Sequence, residues 1–228
     1  MGVMRWRRWH LWLGWVTGIQ MFIWGATGLY MVWVSLDFIH GKPLVDAHPD
    51  PLAWQPGYVA PAALKLPPDT RQLTLTTRMG HPVYEVLTET TAFLLDAVNG
   101  LPFLLGPEDV GQLAKGYYRG KGDVAQVTHI EKDAPRELGN RPLPVWQVRF
   151  DDAFDTTLYL SDKTGTLLTQ RHRYWRWFDA AWALHIMDYS QRSRINLPWF
   201  QAMCGLSLLL MLSGSLLWLR TRFTRPAP

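Results

Sequence analysis

Two uncharged apolar stretches, residues 11–36 and 199–219, stand near opposite ends of a chain whose middle alternates polar and apolar positions. A helix needs about 20 residues to cross the hydrocarbon of a bilayer. Both stretches reach that length, the first with Gln20 as its one strongly polar member and the second preceded by Pro198, a residue suited to the first turn of a helix. Both are therefore predicted to span a membrane. The end of the first, Tyr30-Met31-Val32-Trp33-Val34, offers no small-x-small cleavage site, so it reads as a retained anchor and not as a signal peptide.

The middle of the chain repeats itself. Gly80-His81-Pro82-Val83-Tyr84-Glu85-Val86 is echoed by Leu143-Pro144-Val145-Trp146-Gln147-Val148-Arg149-Phe150. Each is followed by a second β-rich segment that closes on a turn, Asp96-Ala97-Val98-Asn99-Gly100 and Ser161-Asp162-Lys163-Thr164-Gly165. Such alternation with Asn-Gly and Thr-Gly turns predicts antiparallel strands. A period of two turns Val83, Val86, Val145 and Val148 inward and leaves Glu85 and Gln147 out of the core. A helix is expected ahead of each copy, over 59–64 and 107–117. The fold class is thus membrane α+β, two transmembrane helices framing two helix-plus-antiparallel-hairpin units. Its segments are 1–40 for a basic flank and the first span, 41–105 and 106–172 for the units, 173–197 for an amphipathic interfacial segment, and 198–228 for the second span and tail.

Charge adds an orientation. Arg5, Arg7 and Arg8 precede the first stretch, Arg220, Arg222 and Arg225 follow the second, and residues 37–197 carry all 19 Asp and Glu. Cytoplasmic flanks collect Lys and Arg, so both termini are expected in the cytoplasm of a bacterium and residues 41–197 in the periplasm, with the chain in the inner (plasma) membrane. The basic pI of about 9.3 comes from these flanks, which makes nucleic-acid binding a poor reading. Trp6, Trp9, Trp12 and Trp33 crowd the ends of the first stretch, and Trp175, Trp177, Trp182 and Trp199 lead into the second, as suits rings that favour the headgroup level of the lipid bilayer.

Candidate chemistry is sparse. The lone cysteine, Cys204, falls within the second stretch, so the external domain has neither a disulfide nor a thiolate metal site. No zinc-protease helix, phosphate-binding glycine loop, dinucleotide fingerprint or nucleophile elbow appears, and no catalytic residue is assigned. His48, His81, His129 and His172 read as solvated surface, and Asp151, Asp152 and Asp155 as a solvated turn between strands. Gln20 and Gln201 are expected to face each other or a partner, because an unpaired amide in hydrocarbon is costly.

On several of these residues the chain resembles the PepSY-associated transmembrane proteins. The resemblance rests on the Pro-Val-aromatic-x-Val strands with their Asp-x-x-Asn-Gly and Asp-x-Thr-Gly turns. It also rests on His10-x-Trp12-Leu13-Gly14-x-x-x-Gly18-x-Gln20, on Thr27-Gly28-Leu29-Tyr30-Met31 with Asp37-Phe38-Ile39-His40-Gly41, and on Trp182-x-Leu184-His185-Ile186-Met187-Asp188-Tyr189. It implies that the two external units are PepSY-like. Larger relatives carry four spans or attached flavin and iron–sulfur reductase domains, and some act as ferric-siderophore reductases with membrane haem.

The residues give that resemblance chemical content. Positions three or four apart share a helix face, so His10, Gly14, Gly18, Met21, Gly25 and Gly28 form one stripe. The stripe reads either as a seam of small residues against another helix, or as a face for a flat macrocycle with His10 as an axial ligand to haem b. His185 lies in an aromatic stripe with Trp175, Phe178, Trp182 and Tyr189, as the polar tip of an interfacial anchor or as a haem ligand whose other N–H is oriented by Asp188. His40 leaves the first stretch at a similar depth, which makes His40 and His185 the preferred ligand pair, within a chain or across a dimer. Bis-histidine haem usually rests among four helices, so a homodimer or a larger membrane redox complex is expected. Two functions follow: an electron-transfer or reductase-accessory protein serving a periplasmic acceptor such as a ferric chelate, or a non-catalytic tethered module that binds or restrains a partner protein.

Overall fold

The computed structural model describes residues 2–47 and 52–223, so Arg225 and His48 lie outside the described residues. The chain divides into two compact units, one of residues 36–175 and one of 1–35 with 176–228.

In the helical unit, α1 (Gly2–Trp33) packs against α5 (Pro198–Phe223), and α4 (Arg173–Ile186) enters the unit from residue 176. Among the described residues α5 is long and apolar enough to cross a membrane. α1 is longer, at 32 residues, and carries three arginines in its first turns and Gln20 near its middle. The packed face of α1 is polar in an ordered way. Thr17, Gln20 and Thr27 are buried, and the hydroxyls of Thr17 and Thr27 donate to Leu13 O and Ile23 O of their own helix at 2.7 and 2.6 Å. A hydroxyl satisfied one turn back can be buried at little cost. Gln20 reaches Leu184 O at 3.5 Å and Gln201 is exposed, so the two amides do not face each other. The seam therefore runs through Gly14, Thr17, Gln20, Trp24, Thr27 and Gly28. Gly18 and Gly25 lie off it, with open space where a side chain would point.

The other unit holds a three-stranded and a four-stranded antiparallel sheet. The first is β1 (Thr70–Arg78), β2 (His81–Thr88) and β3 (Ala92–Asp96); the second is β4 (Val124–Ile130), β5 (Val145–Phe150), β6 (Thr157–Ser161) and β7 (Leu167–Arg171). The short α2 (Leu36–Ile39) opens the unit, and α3 (Pro107–Tyr117) lies where a helix was expected. The helix expected over 59–64 is a single 3-10 turn, Pro61–Ala63; Pro61 cannot continue a helix from 59 and 60, and Pro67 biases Leu66 away from helical backbone, so any helix here is short.

The sequence repeat reappears as matching register. Val83 pairs with Asp96 and Val145 with Ser161. Gly100 and Gly165 then donate to Asp96 O and Ser161 O, each at 2.9 Å, and both glycines are left-handed, with φ of 72° and 66°. That conformation is why glycine ends both turns. All four marked valines are fully buried, but not by one face. Val145 and Val148, three apart, point to opposite sides of β5. Val148 joins Val110, Leu113, Ala114 and Leu160 under α3, whereas Val145 joins Leu138 and Tyr159 on the far side.

One turn latches the sheets together. Met79 and Gly80, both at positive φ, link β1 to β2, and Met79 packs into the cluster under α3. Beside it Arg78, 3% exposed, donates to Thr164 O at 2.8 Å and Thr77 O at 3.0 Å and pairs with Glu85 at 2.7 Å. The Tyr117 hydroxyl donates to Gly165 O at 3.2 Å on the same turn.

Candidate functional site: two hydroxyl-held histidines

The helical unit fixes two of the histidines singled out in the sequence by the same device. His185, near the end of α4, has its Nδ1 2.9 Å from Thr27 Oγ1 of α1. The hydrogen of that hydroxyl has Ile23 O to go to, at 2.6 Å, and an oxygen so engaged suits an Nδ1–H, the tautomer that leaves the lone pair of the neutral ring on Nε2. His10 of α1 repeats the arrangement, with Nδ1 2.7 Å from Ser213 Oγ of α5, whose hydrogen goes to Leu210 O at 2.9 Å. Each ring also lies edge-on to a glycine. A Cβ on Gly28 would sit 3.6 Å from His185 Cε1, and one on Gly214 would sit 3.0 Å from His10 Cε1.

Helix chemistry explains why these residues meet. The His185 carbonyl, in the last turn of α4 where no helical N–H reaches it, accepts Trp24 Nε1–H at 2.7 Å, and this ties the end of α4 to α1. Thr27 lies one turn beyond Trp24 on the same face, under the imidazole. Beside His10 a concavity of about 330 Å³ is lined by His10, Leu11, Gly14 and Trp15. Of the glycine stripe, Gly14, where a Cβ would sit 3.9 Å from Leu210 Cδ1, and Gly28 are on the packed side, while Gly18, Met21 and Gly25 are not.

Asp188 does not orient His185. Its two oxygens accept the backbone N–H groups of Ser190, Gln191, Ser193 and Arg194 and the Ser190 hydroxyl, which folds the loop between α4 and α5 around the carboxylate. Burial opposes its ionisation, but the N–H groups of Arg194, Gln191 and Ser193 outweigh that and hold the carboxyl well below its usual range. The role expected of Asp188 belongs instead to Thr27. Neither Thr27 nor Ser213 was assigned a role from sequence; a hydroxyl in an apolar stretch, within reach of a histidine on a facing helix, is the signal that would have marked them.

His40 belongs to the other unit, where it is exposed and its carbonyl accepts Gln170 Nε2–H at 2.7 Å. His172, expected at the surface, is buried, with Nε2 2.9 Å from Phe38 O and its ring against Phe38 and Tyr174. His81 is exposed, and His129 packs at a tilt against Trp146 with Nε2 2.6 Å from Asp162. The aspartates between β5 and β6 are not an open turn. Asp152 accepts the Tyr118 hydroxyl at 2.6 Å and Thr156 Oγ1 at 2.5 Å, Asp151 accepts Asp123 N–H, and Asp155 pairs with Arg173. Burial, reinforced by the Asp152 carboxylate, pushes the Tyr118 phenol up to about 12. Among the described residues no cluster of histidine, cysteine and carboxylate side chains could hold a metal ion. Compared with known proteins, the chain matches no family model, no curated protein and no solved structure.

Proposed function

We propose that the chain is an inner-membrane protein of the PepSY-associated kind that takes part in electron transfer, with His185 and His10 as haem b ligands and a periplasmic acceptor such as a ferric chelate. The observation that carries this reading is that each imidazole meets, through Nδ1, a hydroxyl that also reaches a backbone carbonyl of its own helix, an arrangement that suits an Nδ1–H and turns Nε2 into the available ligand nitrogen. Neutral imidazole nitrogen is a common ligand of haem iron, and a fixed N–H on the other side is how ligating histidines are held in one tautomer. Haem, when bound, would supply a one-electron carrier. The protein would supply the two ligands, the hydroxyls that fix their tautomer and aim, and the glycines that let the rings lie close to the opposing helix.

In this reading α1 joins α5 as a second span, both termini are cytoplasmic, and residues 41–197 are periplasmic, the two sheets being PepSY-like units. Each described end of the helix pair provides one hydroxyl-held imidazole, and six-coordinate haem takes two. A second copy of the chain, or a larger membrane redox partner, would complete each site.

The visible spectrum of protein purified with ample haem, before and after dithionite, tests this. A sharp α band on reduction is expected, diminished by His185→Ala and by His10→Ala and lost when both are replaced. Colourless wild-type protein would transfer the function to the tethered binding module. Orientation is tested separately, since a reporter active only in the periplasm, fused after Pro228, should be silent.

A further inference from the structure

The cytoplasmic-side turns of α1 hold a second concavity that the proposed haem sites do not use. Arg5 and Trp9, and Arg8 and Trp12, are four residues apart, and the four side chains line a hollow of about 450 Å³ on one face of the helix. Trp9 and Trp12 are 67% and 70% exposed, and both arginines are exposed. Neither α1 nor α5 contains an Asp or Glu, and among the described residues Arg5 and Arg8 have no ion-pair partner. Two guanidinium groups one turn apart above two indole walls lack an anion and an apolar tail. A guanidinium fork matches phosphate oxygens, and indoles favour the headgroup level.

We infer that this face is a seat for an anionic glycerophospholipid, its phosphate held by Arg5 and Arg8 and its glycerol and upper acyl chain laid along Trp9 and Trp12. The inference rests on the reading of α1 as membrane-embedded. Arg7 follows two residues after Arg5, does not line the hollow, and carries the same charge. It separates a seat from a diffuse basic field.

The test uses the full chain in mild detergent, mixed with equal amounts of phosphatidylcholine and phosphatidylglycerol, with bound lipid counted by native mass spectrometry. Phosphatidylglycerol should be retained over phosphatidylcholine, and Arg5→Gln or Arg8→Gln should each lower its retention about fivefold, the worth of one basic side chain near an anionic surface. Trp9→Ala should lower retention as well, while Arg7→Gln changes it less than about twofold. Circular dichroism identical to wild type shows that the variants are folded. Equal retention of the two lipids, or an Arg7→Gln loss as large as the others, overturns the seat while leaving the membrane reading in place. Release of the wild-type chain from membranes by alkaline carbonate overturns both.

Discussion

Replacing Arg78 with Met should unlatch the two sheets. The methionine keeps most of the apolar stem, so the change isolates the guanidinium, which bonds Thr164 O and Thr77 O and pairs with Glu85. Removing one partner of a buried pair costs about 3–5 kcal/mol, because the other charge is left desolvated. The Glu85 side chain is 29% exposed, so water can partly rescue it, which places the loss near the lower bound. About 3 kcal/mol is expected, or a midpoint about 9 °C lower for a chain of this size. Chemical denaturation of the full chain in detergent, followed by near-ultraviolet circular dichroism, measures it. Glu85→Gln should be milder in the Arg78→Met background than in the wild type, because the charge it removes has already lost its partner. A loss under about 1 kcal/mol would refute the latch, and two substitutions that simply add would refute the pairing of Arg78 with Glu85.

Three further outcomes follow from distances and charges on the same structure. Gly214→Ala would put a methyl 3.0 Å from His10 Cε1 and should displace the ring and, on the proposed haem reading, weaken the α band, whereas Gly28→Ala, at an ordinary 3.6 Å from His185, should be tolerated; the reverse order would contradict the packing. Tyr118 has its folded pKa raised from 10.0 to about 12, so its contribution to stability is complete below pH 10 and is lost as pH rises toward 12. Tyr118→Phe should remove that alkaline component from a denaturation series. Asp188 has its folded pKa lowered below 3.8, so its contribution is present above that pH and fades as pH falls further. Asp188→Asn should be less stable at neutral pH and show a flatter acid profile; an unchanged acid profile would mean that the loop does not depend on the charge.

Local signals gave much of this protein away and non-local ones gave little. The apolar stretches, the strands at 83–86 and 145–148, the glycine-ended turns and α3 were legible because each follows from a period, a composition or a positive φ carried by neighbouring residues. β1 was not foreseen, because Thr70-Arg71-Gln72-Leu73-Thr74-Leu75-Thr76-Thr77-Arg78 is mostly polar and becomes a strand by pairing with β2. His10 and His185 stood out in sequence, but the groups that fix them, Ser213 and Thr27, are 203 and 158 residues away. Asp188 looked like a histidine's partner by its spacing and proved to be the centre of its own loop. Only packing decides which of several polar neighbours an imidazole meets, since a hydrogen bond depends on ångström-scale distances that residues far apart in the chain acquire when the helices close.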